Sequence, residues 1–203
     1  MLLLLDTKVC NLSSWINILK NLECKFIIAE NSDFKHEQVD RIIFPGVGNF
    51  EEVTKYLEKK KLDLTLKKII KNKIPYLGVC LGMQILLEKS AESPNFNGLN
   101  LIKGNVKKIK SEKITCPHNG WNNFVTKKES KLFNKIKEDE DFYFNHSYYC
   151  DIDDTNLVTK RLADDEEIVV SFQKENIFGV QFHPEKSHEG GIKLIKNFLS
   201  LQC

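Results

Sequence analysis

The 203-residue chain has no apolar run approaching the roughly 18 residues of a membrane span. Its opening MLLLL places only four leucines before Asp6 and lacks a basic flank. It therefore reads as a buried first strand rather than a signal peptide. There is no C-x-x-C pair, which argues against a zinc site. Neither G-x-G-x-x-G nor G-K-[ST] is present, so a dinucleotide or phosphate cradle has little support. Charge of one sign is also lacking: the formal net charge is +2, too small to argue for nucleic acid or an anionic membrane as partner. No internal repeat, low-complexity linker or domain boundary interrupts the chain, so residues 1–203 read as one domain, with no metal and no cofactor expected.

What is present suits a soluble globular domain with a real core: 41% of residues are apolar and 29% charged. The run Lys59-Lys60-Lys61 reads as a solvated helix face. Six cysteines could form disulfides, but without a secretion signal a reducing cytosol and free thiols are expected. Most of them should be small core residues.

The first half alternates in period. Short apolar strands are expected over residues 2–5, 26–29, 41–44 and 74–79. Helical spacing is expected over 11–22, over 50–72 with a break near Leu62, and over 81–89. The strand at 74–79 is apolar almost throughout, as when both faces are covered. In the second half, strands are expected over 106–109, 124–126, 142–149, 157–162, 168–173 and 178–182, with a turn at 174–176 and a closing helix over 192–201. The pattern is α/β: a three-layer sandwich with a mostly parallel central sheet and an antiparallel extension.

Gly78-Val79-Cys80-Leu81-Gly82 puts a cysteine between two glycines where strand becomes helix. The G-x-S-x-G elbow of serine hydrolases has the same logic: a tight turn, a strained central residue, and flanking positions with no room for a side chain. The thiol would project at the carboxyl end of the sheet, toward the positive end of the following helix, which favours the thiolate. The N–H of Leu81 would be placed to bind an oxyanion.

A nucleophile needs a base. Among five histidines, His36 and His188 read as surface residues, whereas His118, His146 and His183 have richer surroundings. His183 follows an apolar strand in VQFHPEKS, and Glu185 lies two residues on, on the same side of an extended chain. A carboxylate there can hold one imidazole nitrogen and leave the other for the thiol. FPGVGNF, residues 44–50, could supply a second oxyanion donor from a glycine-rich loop.

Taken together, PGVGNF, GVCLGMQ, PHNGWNN, FNHSYY and FHPEKS resemble, in this order, the triad-type class I glutamine amidotransferases. Within that family the likeness is nearest to the glutaminase subunits of histidine biosynthesis. The resemblance implies that Cys80 attacks the glutamine amide to form a thioester, His183 moves protons and Glu185 orients His183. It implies an oxyanion hole from Leu81 and the Gly46-Val47 peptide, and glutamine contacts from Gln84, His146, Ser147 and Tyr148. It also implies a heterodimer in which ammonia passes to a (β/α)8-barrel cyclase, with Asn11, Trp121 and Lys186 facing that partner. The chain departs from the family pattern twice: DTKVCN lacks the usual glycine, and Asn119 replaces an apolar residue.

Other readings are an ammonia-supplying subunit for amidation or amidination of a sugar in surface-polysaccharide synthesis, a cysteine hydrolase acting on another acyl substrate, and a catalytically silent docking subunit. A metal-binding module is disfavoured, because His183 and His188 do not share a helical face.

Overall fold

The computed structural model describes residues 1–9, 12–165 and 167–201. In chain order the elements begin β1 (Leu2–Leu5), α1 (Ser13–Asn21), β2 (Phe26–Ala29), β3 (Arg41–Gly46), α2 (Phe50–Lys59), α3 (Leu62–Lys71), β4 (Tyr76–Cys80) and α4 (Leu81–Gln84). Then follow β5 (Lys89–Ser90), β6 (Gly104–Lys108), β7 (His118–Asn122), β8 (Phe124–Thr126), β9 (Phe142–His146) and β10 (Tyr148–Ile152). The chain closes with β11 (Val158–Leu162), β12 (Val169–Lys174), β13 (Ile177–Val180) and α5 (His188–Leu199).

Eight strands form the main sheet in the order β2-β1-β3-β4-β13-β12-β11-β8. From β2 to β13 every neighbour is parallel, and from β13 to β8 every neighbour is antiparallel. This is the mixed sheet with a parallel core that the alternation of periods implies.

The leucines of β1 explain the layers. Leu2 and Leu4 join Trp15, Leu19, Leu194 and Phe198 under α1 and α5 on one face. Leu3 and Leu5 join Phe50, Val53, Leu57 and Leu66 under α2 and α3 on the other. Successive strand residues point to opposite faces, so a strand covered on both sides must be apolar at every position. The break between α2 and α3 falls at Lys61, which turns the chain with φ 56.

Three expectations need correction. The helix expected over 81–89 is a single turn, α4, after which Leu86 and Leu87 bond to carbonyls only three residues back and the chain leaves as β5. Residues 81–87 are all buried, so the apolar run has no amphipathic period by which a sequence could measure its length. A macrodipole sums aligned peptides, and one turn offers few. The strand expected over 142–149 breaks at Ser147 into β9, which pairs with β7, and β10, which pairs with β6. Finally, α5 begins at His188, not Ile192; Gly190 and Gly191, poor helix formers, mask its first turn. The ribbon strand β7 has no apolar alternation (HNGWN) and was legible only as a motif.

Cys24, Cys80, Cys116 and Cys150 are unpaired; Cys10 and Cys203 lie outside the described residues. Among the described residues no helix is long and apolar enough to cross a membrane.

Candidate active site

Cys80 ends β4 with φ 52 and ψ −109, a conformation that costs an L-residue of the order of 1–3 kcal/mol and persists only where its surroundings impose it. The surroundings do. A Cβ at Gly82 would lie 1.9 Å from the carbonyl oxygen of Phe44, and one at Gly78 would lie 2.3 Å from that of Gly82. The buried hydroxyl of Tyr76 donates to the Gly82 carbonyl at 2.8 Å and locks the turn from beneath. The elbow is therefore wedged between β3 and α4, with the sulfur at the carboxyl edge of the sheet.

β13 lies beside β4 in parallel register, Val180 against Val79, and carries the chain to His183 just beyond its end. The His183 Nδ1 meets Glu185 Oε1 at 2.8 Å, while the imidazole is also hydrogen-bonded to Cys80. Both side chains are almost wholly buried, 2% and 7% exposed. Burial alone pushes His183 down, but the charge of the Cys80 sulfur, the hydrogen bond to it and the Glu185 carboxylate together raise it to about 10. The ring is thus held as an imidazolium between the Cys80 sulfur and the Glu185 carboxylate.

Val47, Gly48, Leu81 and Gln84 line a cavity of about 220 Å³ over the sulfur, together with His146, Ser147 and Tyr148. Gly46 stays out of the cavity wall, packed beneath Leu81 and Gly82. The bend between β9 and β10 forms one side: the Asn145 carbonyl is 4.0 Å from the Cys80 sulfur. Burial pushes His146 down to about 3, against the hydrogen bond its Nδ1 makes to the Tyr148 carbonyl at 2.8 Å, so this ring is neutral. His118 sits 3.1 Å from His146 and is also lowered by burial.

Trp121 and Lys186 lie apart from the cavity but together. Trp121 is 46% exposed, stacks flat on His188 at 4.8 Å and meets Tyr143 edge-on; the Lys186 Nζ sits over the same tyrosine at 5.5 Å. Asn11 lies outside the described residues. Of the departures, Lys8 holds φ 65 without being glycine and is clasped by Asp6 and Glu30, and Asn119 accepts the Tyr143 hydroxyl at 2.9 Å.

Two residues at the site escaped the sequence reading. Glu92 lines the cavity and its carboxylate accepts the Phe50 N–H at 2.8 Å, capping α2. Gln181, fully buried, donates to the Cys80 sulfur at 3.5 Å. Glu92 sits in a loop with no period to mark it. Gln181 had one faint signal, a lone polar residue inside an apolar strand ending.

The chain belongs to the class-I glutamine amidotransferases, whose family model matches residues 3–201. It is 46% identical to the imidazole glycerol phosphate synthase subunit HisH of Pyrococcus furiosus over 83% of this chain and 85% of that one. It is 43% identical to the protein of that name in Methanocaldococcus jannaschii, over 98% of each. A solved structure, PurLQS from Thermotoga maritima, shares the fold at a TM-score of 0.77 and 19% identity, covering 98% of this chain and 96% of that one.

Proposed function

We infer that this chain is the glutaminase subunit of an imidazole glycerol phosphate synthase, working in histidine biosynthesis as one glutamine amidotransferase domain, residues 1–203. The observation that carries the chemistry is the sulfur of a strained strand-end cysteine facing an imidazolium that a buried carboxylate holds. The cavity above it, about 220 Å³, is below the roughly 300–1,000 Å³ of drug-sized sites and suits one amino acid.

Glutamine enters with its side-chain amide over Cys80. The sulfur, as thiolate, attacks the amide carbon, and the N–H groups of Leu81 and of the Val47–Gly48 segment take the oxyanion. His183 Nε2 gives its proton to the amide nitrogen; the C–N bond breaks, releasing ammonia and leaving a thioester on Cys80. His183, now neutral, takes a proton from water, which attacks the thioester. Glutamate leaves, and the thiolate–imidazolium pair is restored. Glu185 keeps Nδ1 engaged throughout, so that Nε2 alone does the proton transfer.

The substrate's other end carries an ammonium group. Among the described residues Glu92 is the only carboxylate in the cavity wall, and it is placed to meet it. Gln84 offers only its oxygen, because both N–H groups of its amide are taken, by Tyr148 and Gln181. His146, Ser147 and Tyr148 then bound the substrate from the β9–β10 bend.

Ammonia passes to a (β/α)8-barrel cyclase docked over Trp121 and Lys186. The absence of disulfides among the described cysteines is consistent with a cytosolic setting. The test is ammonia release from glutamine by the purified chain with its barrel cyclase. The parent complex should turn over glutamine, and Cys80→Ala should fold normally with no glutaminase. Turnover by Cys80→Ala near the parent rate would refute the assignment.

A further inference from the structure

Outside the triad, a second line of hydrogen bonds reaches the same sulfur. It starts at the Tyr148 carbonyl, which accepts from Gln84 Nε2 at 3.0 Å and meets His146 Nδ1 at 2.8 Å. The second hydrogen of Gln84 Nε2 goes to Gln181 Oε1 at 3.0 Å. Gln181 Nε2 then donates to the Cys80 sulfur at 3.5 Å, inside the range for a sulfur acceptor. Gln84 is 4% exposed and Gln181 not at all.

The direction of each bond is fixed, not chosen. A backbone carbonyl can only accept, so the Gln84 atom facing Tyr148 must be its nitrogen. That nitrogen can only donate, so the Gln181 atom facing it must be the oxygen. The amide of Gln181 is planar; with its oxygen held, its N–H₂ is turned to the sulfur. The same carbonyl fixes the histidines. His146 donates through Nδ1, so its Nε2 accepts, and His118 Nδ1 must donate to it at 3.1 Å. One carbonyl on β10 thus orients both the glutamine pair that ends at Cys80 and the histidine pair that ends on β7, the strand bearing Trp121.

We propose that Gln181 is a positioning residue for the glutaminase reaction: oriented by Gln84 and the Tyr148 carbonyl, it donates an N–H to the Cys80 sulfur, stabilises it as the thiolate and holds it facing His183. The triad explains how protons move but gives the sulfur a single partner, the imidazole. The Gln181 donor, 3.5 Å from the sulfur, restricts its rotation about the Cα–Cβ bond. A hydrogen bond to an anion in a dry site is also among the stronger ones. Because the thioester sulfur carries no negative charge, the bond favours the thiolate that attacks and that departs at deacylation.

The proposal rests on Cys80 being the nucleophile, and its test separates the two ideas. The probe is alkylation of the full-length chain by iodoacetamide, followed at Cys80 by peptide mass spectrometry. Gln181→Met, a similar shape without the donor, should slow Cys80 alkylation at pH 7 about 10- to 100-fold, the range for a hydrogen bond to a charged group. The difference should shrink as pH rises, which a merely blocked or distorted thiol would not show. Gln84→Met, which does not touch the sulfur, should slow it in the same direction by releasing the Gln181 amide. With the barrel partner present, Gln181→Met should lower kcat by a similar factor and leave KM for glutamine within about twofold, since Gln181 does not line the cavity. Alkylation and kcat of Gln181→Met at the parent values overturn the proposal. Should Gln181→Met fail to fold, the glutamine side-chain N–H signals of the ¹⁵N-labelled parent decide it: one of them must shift in Cys80→Ala, and none shifting overturns it. Failure of the glutaminase reading appears elsewhere, as turnover that survives in Cys80→Ala.

Discussion

Gly46 stands directly opposite Cys80 across the parallel ladder of β3 and β4. A Cβ at Gly46 would lie 2.6 Å from the Gly82 N and 2.7 Å from the Leu81 Cβ. The end of β3 is therefore pressed against the turn that presents the nucleophile. The loop leaving Gly46 becomes the cavity wall at Val47 and Gly48. One contact couples the elbow to the loop that faces it.

Gly46→Ala should disturb both at once. We expect the folded protein to lose kcat roughly 10²-fold, the cost of one misplaced oxyanion donor, with a smaller change in KM. Steady-state glutaminase kinetics with the partner present check this. An unchanged kcat would mean that the β3 end does not set the oxyanion geometry.

The titration of His183 gives a second prediction. Its value in the folded chain, about 10, lies above the ordinary 6.5 of histidine. The stabilisation from the charged ring is therefore fully present below pH 6.5 and is lost as pH rises through about 10. Glu185→Gln removes a hydrogen bond to a full charge and part of the attraction that offsets burial. The imidazole should then lose its proton at lower pH, and kcat should fall roughly 10²-fold or more. Imidazole ¹⁵N shifts across the pH range report the first; a ring that still titrates near 10 in Glu185→Gln would contradict the role given to this carboxylate.

The chain without its partner should be a weak glutaminase. Gly48 has φ 105, a value open to glycine and rare elsewhere, in the segment that must offer the second oxyanion N–H. A peptide beside such a residue can rotate at low cost, so docking can complete the hole. One missing donor corresponds to roughly 10²–10³ in rate. Equal kcat with and without the cyclase would eliminate this gating.

Trp121 should anchor the partner. It is 46% exposed yet held rigid between His188 and Tyr143. A pre-ordered exposed indole loses little entropy on docking. Trp121→Ala should weaken the complex roughly 30-fold, about 2 kcal/mol, with the isolated chain's stability little changed. Calorimetric titration against the cyclase measures it, and an unaltered Kd would place the interface elsewhere.

Elements whose physics is local were legible in the order of residues alone. The leucines of β1, apolar at every position, announced a strand covered on both faces; glycines at 78 and 82 announced a turn with no room for side chains. The two-residue step from His183 to Glu185 announced a carboxylate beside an imidazole. Features that no short window contains depended on how distant segments pack. Residues 81–87 are buried all round, so nothing in their order could say that α4 stops after one turn. Ser147 divides what reads as one strand because β9 and β10 find partners in different sheets. Gln181 reaches Cys80 only because β13 settles beside β4, and which way its amide points is dictated by the carbonyl of Tyr148, thirty-three positions earlier in the chain. Periodicity and spacing record how a segment meets water or its own backbone; the pairing of distant strands is set by the closing of the whole core, and the orientation of this amide follows from it.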